Sequence, residues 1–561
     1  MRVSDSQMKQ TAVSQNSAPK PPYELASSDA QDCQISAGIC REARMSRDPR
    51  FDGKFFVGVL STGIYCRTVC PAVAPKEENV RYFDSAIKAA QAGLRPCLRC
   101  RPDSAPGSNP WKGTNTTLDR AIGLIEVGAL SGEHGLTVEA FADKLGISSR
   151  YLNKLFTAGF GTSPKQFALY RQLLFAKQLL HQTQLPITQV ALAAGFNSIR
   201  RFNEAFQQAL QLTPTQLRKS SQKSTIKIDD GESAELACSQ EMPAHSLSLY
   251  QYYRPPLDWS AQLAFYRLRA VAGMEWFSES VTPHSHGAID PNIPLEYGRT
   301  LQIEDIRAVV HIVHEAPLHR FKITLTLTPD SPLSGLQKLI TQVRRILDLD
   351  ADMQQIEHNL QHLTDLKLSS KSGLRIPGAG AVFEAGCRAV LGQQVSVVQA
   401  TKLLNILVEA YGERFSLNGR EYRLFPTPQA ISEASLDELK MPGARKLALN
   451  ALAAFICEQP EASVDEWIGV KGIGPWTIAY AKLRGLGDPN IFLHTDLIVK
   501  KQLLASVAEQ RGLDVEAVKQ LDYITLAQQV SADIAPWGSY LTFQLWSMHK
   551  VFQAFVIVPV T

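Results

Sequence analysis

No run of apolar residues in the 561-residue chain approaches the length of a membrane span. The first 30 residues are polar and rich in Ser and Gln, and they contain no apolar core of the kind that directs secretion. The expectation from both absences is a cytoplasmic protein with no membrane partner. Cysteine is scarce: there are nine, an odd number, which argues against a disulfide framework. Charge of one sign is lacking too, because 58 Lys and Arg stand against 54 Asp and Glu. That near-balance hides an asymmetry. Residues 41–220 hold 24 basic and 13 acidic side chains, whereas the remainder holds 34 and 41. A basic surplus confined to one region is the electrostatic footprint of a polyanion partner. At this length a single core is not expected, and three to four domains are.

Taken in order, residues 1–37 carry no hydrophobic periodicity and read as a disordered tail. Residues 38–106 contain Cys66-x3-Cys70 and Cys97-x2-Cys100, two close pairs with 26 residues between them. Two turns that each deliver two soft thiolates are what a tetrahedral Zn2+ site requires; the bland alternative is a set of buried free thiols. Residues 107–218 contain a repeat. Gly146-Ile-Ser-Ser-Arg-Tyr-Leu-Asn-Lys-Leu-Phe156 is echoed by Gly195-Phe-Asn-Ser-Ile-Arg-Arg-Phe-Asn-Glu-Ala-Phe206, and Ser163-Pro164 by Thr213-Pro214, with an offset of 50 for both the Phe and the Pro. Each copy reads as an apolar helix, a glycine turn and a capped second helix, which is a helix-turn-helix. Residues 219–244 are polar and aperiodic, as a flexible linker is. Alternation around Leu247, Arg307 and Lys322 predicts a small antiparallel sheet over 245–350, and 351–561 reads as helical.

The most distinctive stretch is Val470-Lys-Gly472-Ile-Gly474-Pro475-Trp476, followed by Phe492-Leu-His-Thr-Asp496. Gly472 and Gly474 suit a tight turn of positive φ, and Pro475 suits the first position of a helix. Such a turn aims bare amides outward and makes an anion site, with a nucleic-acid phosphate as the natural anion. Trp476 and Tyr480 are four apart and share a helix face. Asp496, set among Leu493, Leu497, Ile498 and Val499, either caps a helix or does chemistry.

These motifs carry three resemblances. The hairpin with its downstream Asp496, together with Leu374-Arg-Ile-Pro-Gly378, Phe383-Glu-Ala-Gly-Cys-Arg-Ala-Val-Leu-Gly-Gln-Gln-Val395, Arg484-Gly-Leu-Gly and Pro536-Trp-Gly-Ser-Tyr540, resembles the helix-hairpin-helix DNA glycosylases of the AlkA type. The cysteine pairs with Asp52-Gly-Lys-Phe-Phe-Val-Gly-Val, Thr62-Gly-Ile-Tyr-Cys66-Arg and Gly93-Leu-Arg-Pro-Cys97-Leu-Arg-Cys100 resemble the N-terminal domain of the adaptive-response protein Ada. The tandem helix-turn-helix is similar to AraC-type DNA-binding domains. The implied architecture is multidomain α+β: a small zinc α/β module, an all-α tandem helix-turn-helix, and a small antiparallel sheet leading into a helical glycosylase domain.

The resemblances imply roles. Cys66 is both a ligand, with Cys70, Cys97 and Cys100, of one Zn2+ and the acceptor of a methyl group from a DNA phosphotriester. In the recognition helices Arg150, Asn153, Lys154, Ser198, Arg200 and Arg201 contact a promoter site. Gly472 and Gly474 hold the backbone of alkylated double-stranded DNA. Trp476, Tyr480 and Trp546 form a pocket for an extruded, positively charged purine, and Asp496 is the catalytic carboxylate. Gln393 and Gln394 stand where the family fills the vacated stack; Gln394 occupies a position held by leucine elsewhere, so a polar plug and a buried hydrogen bond are both open readings. Trp476 stands where strand-cleaving relatives carry a Schiff-base lysine, and no cysteine follows Cys457. A monofunctional enzyme without an iron–sulfur cluster is therefore expected. No Pro-Cys-His-Arg stretch occurs, so direct reversal of O6-alkylguanine is not. The resemblance further implies a monomer that engages RNA polymerase. Two competing readings are a damage-responsive regulator whose glycosylase half is a non-catalytic scaffold, and a zinc module that is purely structural.

Overall fold

The computed structural model describes residues 35–47, 51–70, 72–97, 99–100, 102, 114–132, 135–219, 246–278, 295–368, 371–460 and 462–549. All but the first residue of the expected linker at 219–244 and most of the expected 1–37 tail lie outside the described residues. The chain divides into two compact units, residues 1–113 and 114–561.

In the first unit, α1 (Ala37–Ser46) precedes a four-stranded sheet of order β3-β1-β2-β4. The strands are β1 (Phe56–Val59), β2 (Ile64–Arg67), β3 (Val80–Phe83) and β4 (Arg95–Pro96), with α2 (Ala86–Gln91) between the last two. β1 pairs antiparallel with β2 and β3, and β4 joins β2 in parallel. Side chains of period two divide the aromatics between the faces. Phe55, Val57 and Tyr82 pack with Cys40 on one side, and Phe56, Tyr65, Phe83 and Leu94 pack together on the other.

The second unit opens with α3 (Thr114–Glu126) and α4 (Val138–Lys144), then α5 (Ser149–Phe160), α6 (Pro164–Gln182), α7 (Ile187–Ala193) and α8 (Ile199–Leu210). The repeat is structural. Ser148 and Ser198 cap α5 and α8 by accepting from the amides of Tyr151 and Arg201. Phe156 and Phe206, the repeat's matched aromatics, are both fully buried. Ser163 and Gln166 form a reciprocal capping box at α6, and Thr213 and Gln216 make the same pair of bonds one repeat later.

A five-stranded antiparallel sheet of order β5-β9-β8-β7-β6 follows, from β5 (Ser246–Tyr252), β6 (Glu275–Phe277), β7 (Glu296–Ile303), β8 (Ile306–Glu315) and β9 (Arg320–Leu327). The three expected strands are present as β5, β8 and β9. The sheet's apolar face packs on α9 (Trp259–Leu268) and α10 (Leu336–Leu347), and this core continues into α6–α8. Beyond it come α11 (Met353–Gln361), α12 (Val382–Gly392), α13 (Val397–Tyr411), α14 (Gly443–Glu458), α15 (Pro475–Ala481), α16 (Leu497–Arg511), α17 (Tyr523–Ile534) and α18 (Gly538–Ser547). The region is not helical throughout. Arg414–Leu417 and Arg420–Arg423 form a hairpin, β10 and β11, closed by Asn418-Gly419 with both φ angles positive, at 52° and 75°. That dipeptide matches the right-handed twist of paired strands.

Two buried polar networks join the sheet to the helices. Glu384 on α12 binds Arg299 on β7 at 2.9 Å and Arg388 at 2.8 Å, and Arg388 also reaches Glu275 on β6 at 3.2 Å. Burial favours the neutral acid, but Arg299 and Arg388 prevail and hold the Glu384 carboxyl down to about 2. At the end of α10, Asp348 Oδ2 accepts from the Ile376 amide and the Tyr540 hydroxyl, both at 3.0 Å.

Burial pushes the Asp348 carboxyl from its ordinary 3.8 up to about 7. The folded chain therefore keeps a proton there that the unfolded chain releases at lower pH. Stability falls as pH rises from about 4 to about 7, by up to roughly 4 kcal/mol. Asn keeps the acceptor oxygen and tolerates the left-handed backbone at this position, where φ is 53°. Asp348→Asn should raise the urea midpoint at pH 8 and leave it nearly unchanged at pH 4, read by unfolding titrations at the two pH values.

Candidate active site and metal centre

The hairpin, the α12–α13 turn and the start of α16 enclose a cavity of about 1040 Å³. Its lining includes Gln393, Gln394, Gly472, Gly474, Trp476, Tyr480, Asp496 and Trp546, so the structure brings every expected glycosylase residue to one place. The rings form a continuous wall. Trp476 and Tyr480 have centroids 5.3 Å apart and Tyr480 and Trp546 6.2 Å, and behind this wall the buried Phe265 stacks on Trp546 at 6.1 Å.

Asp496 is both cap and cavity wall. Its Oδ1 accepts from the amides of Ile498 (3.0 Å) and Val499 (3.1 Å) at the start of α16, and from Trp546 Nε1 at 3.1 Å. Its Oδ2 accepts no hydrogen bond from the described residues. One oxygen is thus fixed by three donors, and its partner is left for whatever enters the cavity. Because Trp546 is one of those donors, the carboxylate and the aromatic wall are positioned together.

Gly472 has φ 88°, and a Cβ there would lie 2.6 Å from that of Ala448. Gly474 departs from the expectation of positive φ. It caps α15 in extended backbone with φ −111°, and a Cβ there meets nothing within 4 Å. What this glycine supplies is open space over the first turn of α15, not a special dihedral. The two glutamines also differ. Gln393 ends α12, and its amide donates to the Gly472 carbonyl at 3.4 Å and to Thr477 Oγ1 at 3.2 Å, which pins the α12–α13 turn to the hairpin. Gln394 is exposed, in left-handed backbone with φ 57°, and makes no hydrogen bond to described residues.

Three features in the cavity lining or packed behind it were not foreseen. Phe265 and Arg269, at the end of α9, come from far upstream in sequence, and the Arg269 guanidinium lies 3.6 Å from the Phe265 centroid. Burial pulls Arg269 down to about 9, although Tyr480 and Asp496 nearby oppose it. Arg484 donates to the Tyr480 hydroxyl at 3.0 Å. Burial alone raises a phenol, but Arg484 and Arg269 outweigh it and lower that of Tyr480. The third is Lys501, one turn into α16, on the cavity wall. An i,i+4 Phe–Arg pair is ordinary on any helix, so the sequence carried no signal for the first of these.

In the first unit, the sulfurs of Cys66, Cys70, Cys97 and Cys100 all lie within 4.8 Å of one another, and Cys70 and Cys97 are 3.9 Å apart. A tetrahedron of Zn–S bonds of about 2.3 Å has S–S edges of about 3.8 Å, so the set fits zinc. Hydrogen bonds from Cys100 and then among the other thiols push Cys66 up and Cys70 down to about 2. Sulfurs this close cannot all ionise without a cation among them. Cys70, Cys97 and Cys100 are buried, whereas Cys66 on β2 is half-exposed. Cys100 Sγ also accepts from the Arg67 amide at 3.3 Å. Arg67 is itself held by both oxygens of Asp52.

Of the expected helix-turn-helix contacts, Arg150, Lys154, Arg200 and Arg201 are exposed. Asn153 donates to the Ser149 carbonyl, Arg200 pairs with Glu204 at 2.9 Å, and the Ser198 hydroxyl is engaged as the cap of α8.

Comparison with known proteins gives three family matches: the metal binding domain of Ada over 39–103, a helix-turn-helix domain over 141–220, and the AlkA N-terminal domain over 246–381. A Mycobacterium tuberculosis protein named "Probable bifunctional transcriptional activator/DNA repair enzyme AlkA" is 32% identical over 522 residues, which span 91% of this chain and 95% of that one. The chain belongs to this family of bifunctional activator/repair proteins. Two shorter relatives divide it between them. Escherichia coli DNA-3-methyladenine glycosylase 2 is 30% identical over 310 residues, 52% of this chain and 95% of the relative. Escherichia coli "Bifunctional transcriptional activator/DNA repair enzyme Ada" is 32% identical over 174 residues, 31% of this chain and 47% of the relative. With the Ada metal-binding match on the same four cysteines, the thiol cluster of this family member is a site for one Zn2+. Among the described residues no helix is long and apolar enough to cross a membrane.

Proposed function

We propose that this chain is a monofunctional DNA glycosylase that releases alkylated purines of the 3-methyladenine and 7-methylguanine type. The same chain carries a zinc-thiolate methyl acceptor and a sequence-specific DNA-binding region that regulates the alkylation response. The glycosylase occupies 245–561, the DNA-binding region 107–218 and the acceptor 38–106. The observation that carries the reading is the free oxygen of Asp496, open to a cavity walled by Trp476, Tyr480 and Trp546.

A base inside a duplex cannot reach such a cavity, so its nucleotide rotates out. The turn at Gly472 and Gly474 holds the backbone, and exposed Gln394 is the side chain offered to the gap in the stack. Alkylation at N3 or N7 leaves the purine positively charged, and each ring face attracts it by about 1–2 kcal/mol. Such a base is a good leaving group and needs no strong general acid. The C1′–N bond breaks with its electron pair going to the purine. Asp496 stabilises the positive charge that develops on the sugar, or orients the water whose oxygen bonds C1′ as its proton departs.

In the first unit, zinc when bound keeps its cysteine ligands as thiolates at neutral pH. Cys66, the half-exposed member, attacks the methyl carbon of a phosphotriester. A sulfur–carbon bond forms, the carbon–oxygen bond breaks, and a phosphodiester anion leaves. Four reduced thiols suit the cytoplasm, where the chain acts as a monomer on a promoter beside RNA polymerase.

Base release from duplexes carrying 3-methyladenine, 7-methylguanine or neutral hypoxanthine tests the excision reading. The cationic bases should be released at least about 100-fold faster than hypoxanthine relative to their spontaneous loss, as a cation-selective pocket requires. Negligible release of all three, with DNA binding intact, leaves the regulator with a non-catalytic scaffold.

A further inference from the structure

β5 is an edge strand among the described residues, and the backbone groups on its outer side need partners that no further described strand provides. Two glutamines one turn apart on α6 provide them. Gln182 Oε1 accepts from the Tyr250 amide at 2.9 Å, and Gln178 Nε2 donates to the Tyr250 carbonyl at 3.4 Å. They serve one residue's donor and acceptor as a paired strand does. A single apolar core runs alongside, from Leu173, Val190 and Phe202 of the helix-turn-helix region to Leu247, Leu249 and Phe321 of the sheet. α8 enters this core through Phe202 and Phe206, and the outer faces of the recognition helices stay clear of it: Arg150 and Lys154 on α5, and Arg200, Arg201 and Gln207 on α8, remain exposed.

A regulator tethered to an enzyme by a linker has no use for a shared core or for side chains fitted to a sheet edge. We propose that the helix-turn-helix region is also a second DNA grip of the glycosylase, fixed to its sheet so that the recognition helices hold duplex, regardless of sequence, for the base pocket. This rests on the excision reading above. A rigidly attached second grip raises the local concentration of DNA at the first, without any new contact in the pocket. Its sequence-independent part is phosphate binding by basic side chains, which is released by salt.

Two measurements on the full chain test it. The first is the KM for base release from duplexes of increasing length, taken across a salt series for wild type and for the double variant Arg200→Ala/Arg201→Ala. The expected result is a KM raised about tenfold at low salt, and a plot of log affinity against log salt shallower by about 1.8 for two lost phosphate contacts. An unchanged KM and slope, with wild type turning over normally, overturns the second grip and leaves the excision reading standing. No base release by wild type rejects both.

The second measurement asks whether the junction is rigid. Six of the seven tryptophans lie at 259–546, in the glycosylase half, so their fluorescence reports its unfolding. Phe202→Ala empties a core position of α8 and should lower that midpoint by at least about 5 °C. The milder pair Gln178→Ala/Gln182→Ala should lower it by a smaller amount. A tryptophan transition unmoved by either variant means two independent bodies and overturns the proposal.

Discussion

Asp496→Asn should lower single-turnover release of 3-methyladenine by about 10³-fold, the scale of losing one preorganised charge at a developing cation. The substitution separates chemistry from architecture unusually well. Asn caps helices as effectively as Asp. Its carbonyl oxygen can still accept from Ile498, Val499 and Trp546, the three donors that hold Oδ1. What changes is the other oxygen, replaced by an amide that carries no negative charge and donates instead of accepting. The variant should therefore fold with an unchanged melting midpoint, bind damaged duplex about as tightly as wild type, and fail at bond cleavage. Quenched-flow release followed by chromatography of the free base gives the rate, and a fluorescence titration with the same duplex gives the affinity. A parallel loss of both would assign Asp496 to the cap and not to catalysis.

Incubation with DNA carrying methyl phosphotriesters should add one methyl group per chain, on Cys66, and then stop. Peptide mass spectrometry reads both the site and the stoichiometry. The selectivity follows from exposure, since Cys70, Cys97 and Cys100 are buried and the Cys100 sulfur already accepts the Arg67 amide. Cys66→Ser should take up no methyl, with no compensating gain at the other three. Methylation turns an anionic sulfur into a neutral thioether and so removes one negative charge near a polyanion. Affinity for DNA should rise about twofold to fivefold at low salt, with the gain fading as salt is added. A methyl spread over several cysteines, or no methyl on any, would reduce the module to a structural zinc site.

The parts of this molecule legible in its sequence are those written locally. Cysteine spacing gives the zinc site because close pairs on turns bring four sulfurs together. The 50-residue offset gives the tandem helix-turn-helix, down to the buried Phe156 and Phe206. Asp496 stands out because a carboxylate among Leu493, Leu497, Ile498 and Val499 needs a reason, and the structure supplies two, the cap and the cavity. Less legible is anything assembled across distance. Arg269 reaches the cavity, and Phe265 backs Trp546 behind it, from over 200 residues before Asp496, on a helix whose sequence reads only as core. Gln178 and Gln182 read as solvated helix positions, because nothing local says that a sheet edge lies opposite. Asn418-Gly419 does carry a turn signal, but its flanking strands are four residues each and sit within helical patterning. Gly474 misleads in another way: glycine there suggests a dihedral, whereas its use is the absence of a side chain above α15.

The central claim is that an aspartate facing an aromatic cavity severs the bond between a flipped cationic purine and its sugar. Its most direct test is a duplex with one labelled 3-methyladenine, incubated with the full chain and analysed for free base and for strand length in the same sample. The account predicts free 3-methyladenine in equal amount to abasic sites, in strands that stay full length until treated with alkali. Damaged duplex that remains bound with its base still attached would contradict it.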